Sequence, residues 1–454
     1  MAVIAGEGTA SHRSFPSRTS RLFPWTVFAL TFALLLSDYM SRQVLSAVFP
    51  FLKTEWALTD TQLGSLTSIV ALTVGILAVP LSLLGDRMGR VRAVVIMAVV
   101  WSLATVGSAL AANYGQLLAA RFLIGVGEAA YGSVGLAVVL AVFAAHRRAS
   151  LTGAFMAGGS FGSVLGVALG GALAAQFGWR WAFGAMGVVG LILAVLYSVV
   201  ISERRLTRYK VADVLSDGPE LAAGRRRARL STLFSTPSVI LAYIGGGLQL
   251  FIAGSLFAWL PSYLNRAHGM APARAAGVAA ILILIMGAGM IVCGLVTDRL
   301  SRARPVRKWT TAIVFSLVSL VLLGVGFAMT PGKAQLLLLA VGCFFAAGTT
   351  GPTGAMVARL THESIRATAF GTLTFFNNFL GLAAGPVVTG VLADRLGLEN
   401  ALRYVPLVSV VAIVALLIGR AAYPASLRRL GVGSAGANDG FGVAAGGNDR
   451  GGRE

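Results

Sequence analysis

Charge is scarce in this 454-residue chain: 12% of its residues are Asp, Glu, Lys or Arg, against 56% that are apolar. Soluble domains carry about 25% charged residues, so a large water-soluble fold is excluded. Cysteine and histidine are nearly missing. The two cysteines, Cys293 and Cys343, sit inside apolar runs, which excludes a disulfide framework and leaves the redox compartment open. The four histidines, His12, His146, His268 and His362, fall in tails or loops. Gly158-Gly159-Ser160-Phe161-Gly162 fits G-x-S-x-G, but that motif needs a strand-to-helix elbow and a histidine partner, and here it lies in a glycine-rich apolar run. The chain therefore reads as no enzyme, with no metal site and no cofactor. Acid is scarcer than base: 17 Asp and Glu against 37 Lys and Arg leave a formal charge of +20. Gathered on one folded domain, such a surplus would mean nucleic-acid binding, but the bases are spread along the chain.

What is abundant is apolar length. Fifty-six per cent of 454 is about 254 residues, enough for about twelve membrane-crossing helices of roughly 20 residues. Six runs lie between Pro24 and Ser202 and six between Pro237 and Tyr423. They lack the alternation of a barrel strand, so helices are expected, each satisfying its own backbone in lipid. The expected organisation is a tail over 1–22, a six-helix bundle over 23–202, a basic linker over 203–236, a second bundle over 237–424 and a disordered tail over 425–454. The linker has eight Lys and Arg. With both termini in the cytoplasm, 28 Lys and Arg fall on cytoplasmic segments, seven outside, and two, Arg42 and Arg121, within spans. This bias fixes the expected orientation, and it assigns the positive charge to one face of a membrane protein rather than to nucleic acid.

The halves repeat. Gly85-Asp86-Arg87-Met88-Gly89-Arg90-Val91-Arg92 follows span 2, and Thr297-Asp298-Arg299-Leu300-Ser301-Arg302-Ala303-Arg304 follows span 8, with Asp and three Arg at identical spacing 212 residues apart. Gly171-Ala172-Leu173-Ala174 and Gly390-Val391-Leu392-Ala393 echo each other at an offset of 219. Parallel six-span repeats place a substrate site at mid-membrane between them.

The repeated D-R-x-x-R loop resembles the signature of the major facilitator superfamily, over roughly Pro24 to Tyr423. Within it the chain looks most like the spinster-like group, which overlaps in pattern with the anion:cation symporters. Asp38-Tyr39-Met40-Ser41-Arg42 stands where that group has N-Y-x-D-R, with Asp38 replacing the Asn and Ser41 the Asp. Gly125-Val126-Gly127-Glu128-Ala129 reproduces its G-V-G-E-A/S segment, and Leu58-Thr59-Asp60-Thr61-Gln62-Leu63-Gly64 matches its start of span 2. The resemblance implies an all-α membrane fold of twelve helices in two pseudo-symmetric bundles, alternating access, and a cytoplasmic gate at Asp86, Arg87, Arg90, Asp298, Arg299 and Arg302.

Charges within a bilayer are costly and functional. Asp38 and Arg42 on span 1 and Arg121 and Glu128 on span 4 are the four here. At ~1.5 Å per residue, Asp38 lies about 21 Å along span 1 and Glu128 about 20 Å along span 4, so one mid-membrane cluster is expected. A carboxylate there is drawn toward its neutral form by desolvation and toward its charged form by an arginine. Losing and regaining the arginine would load and release a proton. Tyr243, Gln249, Trp259, Phe375, Asn377 and Asn378 are the candidate substrate contacts in the second half. The six glycines of span 5 between Gly158 and Gly171 predict close helix packing. The expected function is secondary transport, driven by the proton gradient, of a small organic anion or amphiphilic metabolite across the cytoplasmic (inner) membrane by a monomer. Export of a lysolipid or drug-like amphiphile, and a sensor of the same fold without flux, are the alternatives.

Overall fold

The computed structural model describes residues 18–143, 147–206, 234, 236–302, 304–361 and 365–429, with the side chains of 18–21, 86, 149, 366, 367 and 429 left out. Most of the linker, the tail beyond residue 429, His12, His146, His362 and the Asp86 side chain thus lie outside the described residues. Within them the chain is helical, with no strand, and twelve helical spans are long and apolar enough to cross a membrane.

The first half contains α1 (Arg18–Trp56), α2 (Asp60–Met88), α3 (Arg90–Leu110), α4 (Tyr114–Glu128), α5 (Tyr131–Ala141), α6 (Arg148–Phe177) and α7 (Trp179–Val200). The second contains α8 (Pro237–Ala267), α9 (Pro272–Ser301), α10 (Arg307–Ala328), α11 (Lys333–Ala346), α12 (Thr350–Leu360), α13 (Arg366–Phe376), a π-helical segment (Asn377–Ala383), α14 (Ala384–Leu396), α15 (Leu398–Tyr404) and α16 (Val408–Arg429). The start of α1 and the end of α16 shorten both expected tails, because helix continues through Ser426 and Arg428 despite Pro424.

Two expected continuous spans are each broken. Span 4 is α4 and α5, parted at Ala129–Ala130, and span 10 is α11 and α12, parted at Ala347–Thr349. Non-helical backbone at membrane depth is tolerated where it is buried in protein or lines a cavity. Ala129, Gly132 and Ser133 do line one.

We call the face nearest the chain ends and the linker the terminal face, and its opposite the distal face. The apolar cores distinguish them. One cluster crosses between the halves on the distal side, joining Val44, Phe49 and Leu66 to Trp259, Leu260 and Ala276. On the terminal side each half has its own cluster, around Trp101 and Tyr131 in the first and Tyr243 and Trp309 in the second. The halves are sealed distally and parted terminally.

Small residues allow close helix contacts both within the first half and across the seam. The α6 glycines lie against α1, where a Cβ at Gly162 would come within 2.8 Å of the Leu36 carbonyl and one at Gly166 within 2.8 Å of the Met40 Cα. Ser160, the serine of the G-x-S-x-G match, faces Gly287 of α9 across the seam. Along α2, Ser68 Oγ donates to the Ala383 carbonyl at 2.5 Å.

Candidate functional site

A cavity of about 660 Å³ separates the halves. It starts at mid-span beside Asp38, Tyr39, Arg42 and Glu128 and reaches Ser82, Leu83, Ser133 and Thr368 toward the terminal face. Its walls are largely apolar, from Leu35, Val79, Met156 and Phe370.

The charged end is built from α1 and α4. Arg42 donates through Nε at 3.0 Å and Nη2 at 2.6 Å to Glu128 Oε2, a bond between two helices 86 residues apart. The Glu128 carboxyl is fully buried, and Arg42 keeps 17% of its side chain exposed. Glu128 is the last residue of α4, so the break after it leaves the carboxylate at a helix end facing the cavity. Asp38, one turn before Arg42 on α1, is buried and lines the same end of the cavity as Glu128. Asp38 Oδ1 and Glu128 Oε1 have no hydrogen-bond partner. Tyr39 lies under the Arg42 guanidinium, 5.5 Å from ring centroid to Cζ.

Three of the four predicted intramembrane charges therefore meet at the cavity. Arg121 does not. It is fully buried, absent from the cavity wall, and donates to the carbonyls of Ser41 and Arg42 at 3.0 Å each and of Leu66 at 3.4 Å. Its guanidinium staples α4 to α1 and α2, a use of five fixed donors that sequence spacing does not reveal. Ser41 is likewise buried, its hydroxyl donating to the Ser37 carbonyl at 2.9 Å, and it does not line the cavity.

The second-half candidates divide in the same way. Asn378 lines the cavity, held by its Nδ2 donating to the Thr374 carbonyl at 2.9 Å. Asn377 stands beside it on the π-helical segment, outside the cavity wall, with its Oδ1 unpaired. Phe375 stacks on Phe379, 5.7 Å between ring centroids. Tyr243, Gln249 and Trp259 are packing residues. Tyr243 stacks on Phe376 at 5.4 Å, Gln249 donates to the Ala346 carbonyl and accepts from Ser409, and Trp259 donates to the Pro386 carbonyl at 3.0 Å while lying against Phe49. The polar ends of Gln249 and Trp259 serve neighbouring helices, which is what polar groups in lipid most need, whereas the buried Tyr243 hydroxyl has no hydrogen-bond partner among the described residues.

Sequence reasoning missed Tyr39, Ser82, Ser133 and Thr374 on the wall; Tyr39 was legible as the residue three before Arg42, on the same helix face. It also missed the distal seam, where Asp60 binds Arg266 and Lys53. At the terminal face, Asp298, Arg299 and Arg302 are exposed and make no ion pair among the described residues.

Residues 31–351 match the profile of the Major Facilitator Superfamily. The chain belongs to that superfamily. This transporter is 28% identical over 393 residues to the probable L-galactonate transporter of Escherichia coli K12, covering 83% of this chain and 84% of that one. It is 29% identical over 236 residues to protein spinster homolog 1 of Bos taurus, covering 51% and 44% of the two chains. Its fold superposes, with a TM-score of 0.78 and 17% identity, on a bacterial homolog of the human lysosomal transporter Spinster crystallised inward-facing and unoccupied, over 89% of this chain and 98% of that one.

Proposed function

We infer that this transporter carries a small organic anion, of the sugar-acid class, together with a proton. The observation behind the reading is the Arg42–Glu128 pair at the inner end of the cavity with Asp38 beside it. Arg42 is the one cation among the cavity-lining residues, and Glu128 occupies it. A proton on Glu128, or shared between Glu128 and Asp38, weakens that hold and frees the guanidinium to grip a substrate carboxylate as a two-pronged donor. Anion and proton then load together, and rocking of the halves carries both. The likeness to the L-galactonate transporter supports a polyhydroxy acid as the anion, and Ser82, Ser133, Thr374 and Asn378 offer hydroxyl and amide partners for its hydroxyl groups.

The reading also places the terminal face in the cytoplasm, with a monomer in the cytoplasmic membrane, because the basic loops gather on that face. Uptake of L-galactonate and related sugar acids into proteoliposomes, with and without an inward proton gradient, tests it. Uptake stimulated by the gradient is expected. Uptake indifferent to the gradient would remove the proton from the mechanism, and no uptake of any sugar acid would remove the substrate class.

A further inference from the structure

The distal seam holds a second charged site. Asp60, at the first turn of α2, is buried and accepts from Lys53 Nζ at 2.7 Å and from Arg266 Nη1 and Nη2 at 2.8 and 2.7 Å. Lys53 and Asp60 belong to the first half and Arg266 to the second, so this carboxylate ties the halves together. Beside it Asp394, near the end of α14, accepts from the backbone N–H groups of Asp60 and Thr61 at 2.7 and 2.8 Å and from the Thr61 hydroxyl at 2.5 Å. Asp394 thus caps α2 from across the seam.

The repeat makes this arrangement lopsided. Lys53 and Arg266 are 213 residues apart, one more than the offset of the terminal loops, so each half supplies a base at nearly matching positions. The acids have no such mates: Pro272 stands 212 residues after Asp60, and Ala175 stands 219 before Asp394. Two cations therefore share one carboxylate, and they use few of their donors on it. Lys53 spends one of three N–H groups and Arg266 two of five.

The unused donors face a pocket. A hollow of about 510 Å³ opens on the distal face across the seam, lined by Pro50, Phe51, Lys53, Thr54, Asn265 and Arg266, with Pro272 at its edge and no acidic residue in its wall. Its size falls in the roughly 300–1,000 Å³ range of small-molecule sites. Lys53 and Arg266 keep 38% and 26% of their side chains exposed, enough to meet a solute from the distal side. Asp394, beside Asp60 at the seam, has committed both oxygens to α2.

We propose that this pocket is an antechamber for a small carboxylate arriving at the distal face, bound by Lys53 and Arg266, whose binding draws those two cations off Asp60 and so loosens the distal seam. A second anion on the same two bases divides their attraction with Asp60, and the ion pair joining the halves weakens as the site fills. The ligand would thereby promote the opening that admits it, since it binds the open seam better than the closed one. The ligand class rests on the organic-anion reading above; the site itself stands on the pocket and its two cations.

The test uses the full chain in nanodiscs with L-galactonate as probe, in an Arg42→Ala background that disables the central arginine. Calorimetric binding of the probe should persist there, fall by roughly tenfold or more on adding Arg266→Gln, and recover with Arg266→Lys. Spin labels on cysteines at exposed Gln176 and Glu399, with Cys293→Ser and Cys343→Ser removing the native thiols, should shift to longer separations as the probe is added. Binding in Arg42→Ala that ignores Arg266→Gln, or no binding in Arg42→Ala at all, overturns the antechamber. If wild-type vesicles still take up the probe in that case, the transport reading survives alone. Distal binding without uptake by the wild type leaves the antechamber standing and sinks the transport reading.

Discussion

At the scale of single residues, the structure separates four intramembrane charges into two jobs. Glu128, Arg42 and Asp38 face the cavity, and Arg121 holds backbone. Glu128→Gln should abolish gradient-driven uptake while anion exchange continues, because an amide cannot take up and release a proton. Proton flux of wild-type amplitude in that variant, read with a pH dye inside proteoliposomes, would exclude Glu128 from coupling. Arg121→Ala should instead act on stability. It removes a fully buried side chain and three carbonyl bonds, a loss of about 3 kcal/mol or more. A lowered melting temperature in detergent with the substrate affinity of the folded fraction unchanged is the expected result; unchanged melting with lost affinity would return Arg121 to the binding site. Position 41, where the spinster-like pattern has its Asp, also meets the structure here. Because Ser41 is buried off the cavity, Ser41→Asp should not restore coupling to Asp38→Asn.

Helices explain how those residues arrive together. The break after Glu128 and the π-helical segment at Asn377–Ala383 both fall beside the cavity or on its wall, which ties irregular backbone to the site. Sequence offered only a faint sign of either, in the glycines and paired asparagines nearby. By contrast, the α6 glycine row was readable as a packing surface, and it receives α1 as expected. Gly166→Val should cost roughly 1–3 kcal/mol by pushing α1 off α6, measurable as a drop in thermal stability. At the distal seam, Asp394→Ala removes the cap on α2 and should shift the population toward a distally open form. A capping loss of about 1 kcal/mol changes that ratio about fivefold. Distances between labels at Gln176 and Glu399 that do not lengthen would count against Asp394 as part of the seam.

For the whole molecule, one shared distal core and two separate terminal cores describe a protein sealed on one face and open on the other. Asp298, Arg299 and Arg302 are exposed and make no ion pair among the described residues, which accords with that state. Topology remains a matter of charge. A reporter fused at Gly218 in the basic linker should be active in the cytoplasm, and periplasmic activity at that position would invert the orientation.

Twelve spans, a twofold repeat and the pairing of α1 with α4 charges were determined by the sequence itself. Lipid forces each span to satisfy its own backbone, so length and apolarity suffice to count helices, and a mid-span carboxylate must find company wherever the helices settle. The choice of company belongs to tertiary structure. Arg121 and Arg42 look alike in sequence, yet one meets carbonyls and the other a carboxylate, because helix rotation and tilt decide which face each presents. Trp259 and Gln249 were drawn into packing for the same reason, and Lys53, Asp60 and Arg266 became a site only when folding closed the 206 residues between Asp60 and Arg266.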